Sequence, residues 1–432
     1  MNERELPPSL QEIASCVNGY DPKSLPVAQA QEFIARLVPK VQAVEMLALR
    51  SALGRVLARD IVSPFNVPAH DNSAMDGYAF RGHDLAADAD TVLQVAGSAF
   101  AGQADLASAA SGQCVRIMTG AVMPAELDTV VPQEFCRVDG DQITVPAGVV
   151  RSGDNRRLKG EDLAQGDAAL SKGRVLRPAD LGLLASLGQA EVPVFRRLRV
   201  AFFSTGDELR SIGEDLPAGC VYDSNRYTLW GMLARLGVEL IDLGVVKDDP
   251  EALEATFRAA ARDADAVITS GGVSVGEADH TKMVMAKLGD VLFWRIAMRP
   301  GRPMAIGRIE TDGHSAILFG LPGNPVAVMV TFYALVRDAL LAMSGAAAQP
   351  MPLLRAASVE PMRKKPGRTE YQRGIVTRAA DGAGFEVRIT GSQGSGILRS
   401  MSEANGLVVL HHAQGNVAAG ELVDVLPFDG LA

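Results

Sequence analysis

From residue 198 to residue 341 the chain alternates short apolar runs with stretches that carry apolar residues at helical spacing. Residues 199–204 and 238–244 are apolar runs, and the helical patterns at 225–236 and 251–262 follow them. Strands that alternate with helices in this way are typical of a sheet with helices on both faces. The pattern predicts a three-layer α/β domain with a largely parallel sheet.

Within this domain a third apolar run, residues 266–269, leads into Ser270, Gly271 and Gly272, and a helical pattern begins near Asp279. Glycines at such a turn can adopt positive φ and let the backbone approach a ligand. A strand, a glycine turn and a helix start together form a common phosphate-binding unit. The spacing matches neither the dinucleotide fingerprint nor the P-loop, so a plain structural turn is the alternative.

Acidic residues and tight turns follow the predicted strands. Ligands bind beyond the carboxyl ends of the strands in sheets of this kind, so these groups are expected at one rim. They are Asp207, Glu208, Asp248, Asp249 and the GLPGNP turn of residues 320–325.

Positive charge is concentrated in the stretch FWRIAMRPGRP, where Arg295, Arg299 and Arg302 surround Pro300 and Gly301. Carboxylates, a phosphate cradle and fixed cations in one crevice suit a phosphorylated substrate held with Mg²⁺. A solvated charged hairpin is the alternative for the arginine stretch.

The flanking regions have other patterns. Residues 27–38 and 52–57 have helical spacing, short strands with a turn at Asp139-Gly140 fill residues 92–150, and short alternating segments after residue 349 predict a small β-barrel or sandwich. The predicted division is a mobile tail at 1–22, a discontinuous α+β linker and dimerisation domain at 23–64 and 149–190, a small β-rich domain at 65–148, the α/β domain at 191–345 and a C-terminal β-barrel domain at 346–432.

Composition narrows the functional class. The 432 residues are 47% hydrophobic and carry a formal net charge of −9, which argues against a general nucleic-acid binder. No apolar run approaches the ~20 residues of a membrane span, and the N-terminus lacks a secretory signal pattern. The four cysteines are scattered. We therefore expect a cytoplasmic protein with reduced thiols and no membrane partner.

Two polar segments outside the α/β domain have the composition of a binding loop. Residues 68–80 concentrate two aspartates, one of them Asp76, and one amide, and Thr119 follows a predicted strand. Residues 151–163 combine Arg157 with further basic residues and with acids in a loop broken by Gly153 and Gly160, a composition that can bind an anion. An ordinary solvated loop is the alternative for each segment.

Six motifs occur in order along the chain: DNSAMDGYA, RIMTG, GED, STGDEL, SGGVSVGEAD and GLPGNP. Together they resemble the molybdopterin molybdenumtransferases, which include the bacterial MoeA proteins and the E domain of gephyrin, over about residues 26–428. The resemblance implies molybdenum cofactor biosynthesis, in which molybdate is inserted into adenylylated molybdopterin with Mg²⁺-dependent cleavage of the adenylate and release of AMP. It also implies a homodimer with an active cleft shared between subunits. The molybdopterin adenylyltransferase and the recipient molybdoenzymes are further expected partners.

The resemblance also implies roles for individual residues. The residues expected in catalysis are Asp76, Thr119 and Asp162, supplied by the partner subunit, and Glu208, Asp248 and Asp279, of which Asp248 and Asp279 would bind Mg²⁺. The residues expected to bind adenylylated molybdopterin are Arg157, Asp207, Ser270, Gly271, Gly272, Ser274, Glu277, Arg295, Pro322, Gly323, Asn324 and Pro325. The residues expected to hold molybdate are Arg299, Arg302, Arg368 and Ser395.

One departure from the family concerns Arg295, Arg299 and Arg302, since the family typically has lysines in this stretch. A guanidinium keeps the charge but presents a planar fork that can bind two oxygens of one tetrahedral anion. If catalysis requires a compact ammonium group, this change affects the rate more than the binding.

Two other functional classes remain open. A molybdopterin adenylyltransferase or related nucleotide hydrolase would need only the α/β domain, so the remaining domains would be unexplained. A scaffold protein would need a groove with an exposed apolar stripe.

Overall fold

The computed structural model of the protein describes residues 9–102, 108–273, 280–348, 351–380 and 382–428. Up to residue 198 the chain forms a linker domain, a small β domain and two N-terminal helices, which share a hydrophobic core with the α/β domain. The elements in this part are α1 (Leu10–Ser15), α2 (Val27–Leu37), β1 (Val44–Ala48), β2 (Ile61–Val62), β3 (Asn72–Ser73), β4 (Gly77–Phe80), β5 (Thr91–Ala99), β6 (Gln113–Ile117), β7 (Thr129–Pro132), β8 (Arg137–Asp139), β9 (Gln142–Val145), β10 (Arg156–Arg157), β11 (Ala168–Leu170), α3 (Pro178–Ser186) and β12 (Glu191–Phe195).

Helix α1 lies where a mobile tail was expected, so the prediction is wrong for residues 9–22. A capping box between Ser9 and Glu12 starts the helix, which satisfies backbone N–H groups that would otherwise lack partners. Leu10, Ile13 and Val17 are buried against the rest of the core. The prediction relied on the prolines near this segment and overlooked the helical spacing of its apolar residues.

The linker domain is built from chain segments on both sides of the small β domain. Strand β1 pairs with β12, and β2 pairs with β11, both antiparallel. The helix predicted at residues 52–57 is absent, since this segment instead bridges to Val175 and Val194 through Val56 and Leu57. Pairing with two strand-like neighbours satisfies its backbone without a helix.

The small β domain is a sheet with strand order β7-β4-β6-β5-β9-β8. Its hairpin β8–β9 turns at Asp139-Gly140, as the sequence predicts. Strand β3, at the entrance to this domain, pairs with β10 at its exit, so Asn72 lies opposite Arg157. This pairing brings together the two polar segments that the sequence singled out.

From residue 199 the α/β domain and the C-terminal domain follow. Their elements are β13 (Arg199–Thr205), β14 (Leu209–Arg210), β15 (Val221–Tyr222), α4 (Ser224–Arg235), β16 (Glu239–Val246), α5 (Pro250–Asp263), β17 (Ala266–Ser270), α6 (His280–Leu288), β18 (Gly289–Arg295), β19 (Met298–Arg299), β20 (Pro303–Thr311), β21 (His314–Leu321), α7 (Pro325–Thr331), α8 (Arg337–Met343), β22 (Leu354–Ser358), β23 (Thr369–Arg378), β24 (Phe385–Ile389), α9 (Leu398–Glu403), β25 (Gly406–Leu410) and β26 (Leu422–Pro427).

The central sheet has strand order β16-β13-β17-β21-β20-β18. Strands β16, β13, β17 and β21 are parallel, and β20 and β18 extend the sheet as antiparallel strands. Strand β17 is buried along its whole length, because helices cover both faces of the sheet. The predicted α/β architecture is confirmed, and the carboxyl ends of the parallel strands share one rim.

A five-residue π-helical segment, Phe332–Val336, joins α7 to α8. The continuous helical run Pro325–Met343 is long and apolar enough to cross a membrane by composition, and it is the one such helix in the described part of the chain. Of its most apolar window, 72% is buried inside the protein. Such burial is typical of the core helix of a globular domain.

The C-terminal domain is a barrel closed by the pairing of β23 with β25 around the order β23-β24-β22-β26-β25, as predicted. Strand β19 of the α/β domain adds to it in parallel with β23, so Arg299 lies opposite Glu370. The backbone N–H of Val326 donates to the carbonyl of Ser395 at 3.2 Å. The barrel is therefore joined by main-chain hydrogen bonds to the rim of the α/β domain.

Candidate functional site

A cleft of about 650 Å³ lies at the carboxyl ends of the parallel strands. We call it the main cleft. Its walls include the end of β13, the start of α4, the glycine turn after β17 and the turn before α7. The lining residues that were predicted from the sequence are Glu208, Asp248, Ser270, Gly271, Gly272, Gly323, Asn324 and Pro325.

The glycine turn after β17 has a conformation that other residues do not readily adopt. Gly271 has a φ of +97°, and a Cβ atom there would lie 2.5 Å from the carbonyl oxygen of Thr205. Only glycine allows β13 and the turn to approach so closely. Ser274, Glu277 and Asp279, which complete the predicted phosphate cradle and metal site, lie outside the described residues.

Asn225 joins the glycine turn to the GLPGNP turn. Its Nδ2 donates to Ser270 Oγ at 2.8 Å and to the carbonyl of Gly323 at 2.7 Å. Ser270 Oγ in turn donates to the carbonyl of Pro322 at 3.4 Å. Two loops that are distant in sequence are therefore held in one arrangement, and sequence reasoning did not identify this residue.

The acidic rim is only partly brought together. Asp207 Oδ1 accepts a hydrogen bond from the backbone N–H of Asp248 at 3.2 Å, which couples two loops of the rim. Glu208 and Asp248 line the main cleft. Among the described residues, no group of three or more His, Cys, Asp or Glu side chains could hold a metal ion. A few hard oxygen ligands beside a phosphate cradle still suit Mg²⁺, which commonly takes one or two carboxylates together with substrate phosphates.

A second cavity of about 400 Å³ adjoins the main cleft and shares Gly323 and Asn324 with it. We call it the arginine pocket. Arg299, Pro322 and Ser395 line it, and the last of these comes from the C-terminal domain. The fold thus brings together two of the predicted molybdate residues and a predicted pterin residue.

Arg302 does not line the arginine pocket. With Arg295 and Lys282 it lines a separate cavity of about 270 Å³. The turn through Pro300 and Gly301 divides Arg299 from Arg302, and Gly301 has a φ of +93° with a would-be Cβ only 2.3 Å from Thr331 Oγ1. The described pockets therefore do not bring Arg299 and Arg302 to one anion.

Arg373 had no role assigned from the sequence, yet its side chain bonds to Gln393 and Gly394, which line the arginine pocket. Its side chain is fully buried and donates to Ser400 Oγ and to the carbonyls of Ser392, Gln393 and Gly394 at 2.9–3.2 Å. Burial, together with the nearby charge of Arg299, lowers the pKa of Arg373 to about 10. In the described residues it forms no ion pair with a carboxylate, so its positive charge favours a bound anion.

Arg368, which was expected to hold molybdate, forms an ion pair with the buried Glu370 at 2.8 Å and lines neither the main cleft nor the arginine pocket as described. The sequence signal for Arg373 was weak. It is one of several basic residues in its segment, and its importance arises only when β23 packs against the turn at residues 392–394.

Of the residues assigned to the partner subunit, Asp76 and Thr119 lie together on the small β domain, and Asp162 lies on the segment that follows this domain. Asp76 Oδ1 accepts hydrogen bonds from both the backbone N–H and the Oγ1 of Thr119, each at 2.7 Å. These bonds, the backbone one first, hold the pKa of Asp76 below its usual range. Asp162 lies on an exposed loop beside the Arg157–Glu161 ion pair. In the described part of one chain, none of these residues lines the main cleft or the arginine pocket.

An apolar groove of about 580 Å³ lies between α2, α8 and the C-terminal barrel, with Ile34, Leu335 and Leu353 among its lining residues. The scaffold alternative requires an exposed apolar stripe, and this groove offers little of one, since Ile34 and Leu335 are only 3% and 2% exposed. Its lining residues differ from those of the main cleft, so a scaffold role and an enzymatic role do not exclude each other.

Comparison with known proteins shows three successive matches. Residues 25–188 match the MoeA N-terminal region (domain I and II), residues 201–342 match a probable molybdopterin binding domain, and residues 355–428 match the MoeA C-terminal region (domain IV). A molybdopterin molybdenumtransferase from Haemophilus influenzae is 43% identical over 94% of this chain and 99% of its own length. The chain belongs to the molybdopterin molybdenumtransferase family. A Nostoc member of this family is 36% identical over 93% of each chain.

Solved structures of molybdopterin molybdenumtransferase relatives share the fold. The molybdopterin biosynthesis MoeA protein from Pyrococcus horikoshii superimposes with a TM-score of 0.80 at 28% identity, over 94% of this chain and 100% of the relative. A second structure described as the same protein gives a TM-score of 0.71 at 31% identity, over 94% and 99%. The predicted transferase of molybdenum cofactor biosynthesis is confirmed at this level. An adenylyltransferase confined to the α/β domain would leave two of the three matched regions unexplained.

Proposed function

We propose that this molybdopterin molybdenumtransferase inserts molybdate into adenylylated molybdopterin, with cleavage of the adenylate and release of AMP. The observation that carries the proposal is the junction of the main cleft with the arginine pocket at Gly323 and Asn324. A phosphate cradle and a cationic oxyanion pocket that share a wall can hold the two substrates in contact. Holding reactants together removes much of the entropic barrier to their reaction.

The adenylate occupies the main cleft, with its phosphates at the glycine turn. Backbone N–H groups at such a turn stabilise the charge that develops when the phosphoanhydride bond breaks. Asp248 and Asp279 would hold Mg²⁺, which when bound supplies neutralisation of the phosphate charge. Pro322 and Pro325 shape the position of the pterin, and Asp207 keeps the Asp248 loop in place.

Molybdate occupies the arginine pocket. Arg299 and Ser395 line it, and the buried charge of Arg373 raises the local positive potential. An anion that enters recovers the electrostatic cost of burying an unpaired guanidinium. A tetrahedral oxyanion also matches the forked geometry of an arginine side chain.

The enzyme works as a cytoplasmic homodimer with Asp76, Thr119 and Asp162 reaching the cleft of the other subunit. The separation of these residues from the main cleft within one chain supports this arrangement. Mixing the inactive variants Asp76→Asn and Asp248→Asn tests it, because heterodimers then contain one cleft with both sets intact. Random exchange of subunits should restore about a quarter of the wild-type activity. Each variant alone is the control, and a mixture as inactive as its components would contradict a shared cleft.

The decisive experiment for the activity is AMP release from adenylylated molybdopterin in Mg²⁺, with and without molybdate. Release that molybdate stimulates, with the metal retained on the pterin, supports the transferase function. Arg299→Ala should raise the molybdate concentration needed for half-maximal release by tenfold or more while leaving binding of the adenylate intact. Arg355→Ala is the matched control, since Arg355 is exposed on β22. An unchanged molybdate dependence in Arg299→Ala would remove its assigned role.

Asp279→Asn should abolish Mg²⁺-dependent release without unfolding the protein, because the sequence pattern predicts this residue at a helix start and not in a core strand. The circular dichroism spectrum should match that of the wild type. Full activity in this variant would overturn the metal assignment.

A further inference from the structure

The start of helix α4 brings two unpaired acceptor oxygens to the wall of the main cleft. In the described residues, Asp223 Oδ2 and Asn225 Oδ1 are buried without a hydrogen-bond donor. The two residues are 3% and 7% exposed, and both line the cleft. These two buried acceptors without donors indicate a binding site independently of the helix N-terminus.

Both side chains are held in one orientation by their other polar atoms. Asp223 Oδ1 caps α4 by accepting from the backbone N–H of Arg226 at 3.1 Å. Asn225 uses both hydrogens of Nδ2, on Ser270 Oγ and on the carbonyl of Gly323. Neither side chain can turn its unpaired oxygen toward a protein donor without breaking these bonds.

A buried acceptor without a donor destabilises the folded protein, and native proteins rarely retain one. Two of them, two residues apart at the start of one helix in the cleft wall, indicate a ligand that offers two neighbouring donors.

The choice of donor rests on the proposed function. In adenylylated molybdopterin the dithiolene that receives molybdenum is part of the pterin, and the phosphates connect the pterin to the nucleoside. If the pterin lies toward the arginine pocket and the phosphates lie at the glycine turn, the nucleoside extends from the glycine turn along the start of α4. There Asn225 contacts Ser270 and Gly323, and Asp223 lies two residues before it. Asp223 and Tyr222 line the main cleft and do not line the arginine pocket.

We propose that Asp223 and Asn225 bind the ribose of the adenylate. Asp223 Oδ2 accepts a hydrogen bond from one ribose hydroxyl, and Asn225 Oδ1 accepts one from the adjacent hydroxyl. The half-exposed ring of Tyr222 and the side chain of Val221 offer an apolar surface at the same end of the cleft for the adenine. These residues thereby select a ribonucleotide over a deoxyribonucleotide.

The test is calorimetric titration of the full-length protein with AMP, 2′-deoxy-AMP and 3′-deoxy-AMP in Mg²⁺. The variant is Asp223→Asn, which keeps the helix cap because asparagine caps as well as aspartate. Its amide oxygen takes the place of Oδ1, so a donor replaces Oδ2. Wild type should bind AMP about tenfold more tightly than at least one deoxynucleotide, and the variant should lose this difference.

Asp249→Asn is the matched control. Asp249 caps α5 through the same contact, with Oδ1 accepting from the backbone N–H of Ala252 at 2.9 Å, but it is exposed and does not line the cleft. This variant should retain the wild-type preference for AMP.

Three results would each overturn the proposal: equal binding of AMP and both deoxynucleotides by wild type, an unchanged preference in Asp223→Asn, or no binding of AMP to wild type. A loss of binding to a reduced pterin in Asp223→Asn, with the ribose preference intact, would also overturn it, because Asp223 would then contact the pterin. Molybdate-stimulated AMP release by wild type is measured in parallel. If release occurs and the ribose preference is absent, only this inference fails; if release is absent, the proposed function fails.

Discussion

Replacing Gly301 by alanine tests how the turn that bears Arg299 is held in place. The residue has a φ of +93°, where an L-residue costs about 1–2 kcal/mol. The added Cβ would also lie 2.3 Å from Oγ1 of the fully buried Thr331, and overpacking of this kind costs about 1–3 kcal/mol. The expected loss of stability is therefore about 2–5 kcal/mol, the sum of the two costs.

Gly313→Ala separates the two costs. Gly313 has a φ of +79°, but a Cβ there meets nothing within 4 Å, so only the backbone cost of about 1–2 kcal/mol applies. The double variant Gly301→Ala/Thr331→Ala should recover most of the overlap cost. The hydroxyl of Thr331 has no hydrogen-bond partner among the described residues, so its removal leaves no polar group unpaired.

The assay is urea unfolding, in which a changed midpoint at constant slope reports the change in stability. The molybdate dependence of AMP release is measured on the same variants. Gly301→Ala should raise the molybdate concentration for half-maximal release, and the double variant should restore it. Equal destabilisation by Gly301→Ala and Gly313→Ala, or no rescue in the double variant, would refute the proposed contact.

Three further changes probe other parts of the structure. Arg373→Met should lower molybdate-stimulated AMP release at least tenfold while preserving AMP binding. The change removes a buried charge and leaves the carbonyls of residues 392–394 without a donor. Release kinetics and calorimetric titration with AMP measure the two effects. Thr119→Val should raise the pKa of Asp76 toward its usual value of about 3.9, measurable by NMR titration of the carboxyl carbon. Since that pKa is lowered in the folded state, the stabilisation from Asp76 is present above about pH 4 and is lost as the pH falls through the lowered value, and the variant should show less of this loss. Ser9→Ala should destabilise the protein by about 0.5–2 kcal/mol in thermal unfolding through loss of the α1 cap, whereas no change would mean that α1 contributes little.

The sequence was sufficient for the α/β domain because its signals are local. Each signal depends on residues that are close together in the chain. Examples are the apolar run of β17, the glycine turn that follows it and Pro250 at the first turn of α5. The same holds for the hairpin at Asp139-Gly140. Local patterns therefore predicted the elements, and the alternation of strands and helices predicted their layers.

The parts of the site that sequence reasoning missed depend on contacts between distant segments. Arg373 acquires its role only when the barrel closes and the turn at residues 392–394 covers it. An aspartate directly before a helix is a common cap, so the role of Asp223 Oδ1 is local, but the orientation of its second oxygen follows from tertiary packing. The separation of Arg299 from Arg302 arises from the turn between them, which spacing in the chain does not reveal.

The parallel pairing of β19 with β23 has a consequence for the order of assembly during synthesis. Arg299 lies opposite Glu370, so the backbone partner of this arginine is made some 70 residues later. A nascent chain that ends before residue 369 already contains the strands of the central sheet and the glycine turn. Strand β19, which carries Arg299, still lacks its partner strand β23. On the proposed function, the nucleotide cleft can therefore form before the oxyanion pocket, because Gln393, Gly394 and Ser395 of that pocket belong to the last domain to emerge.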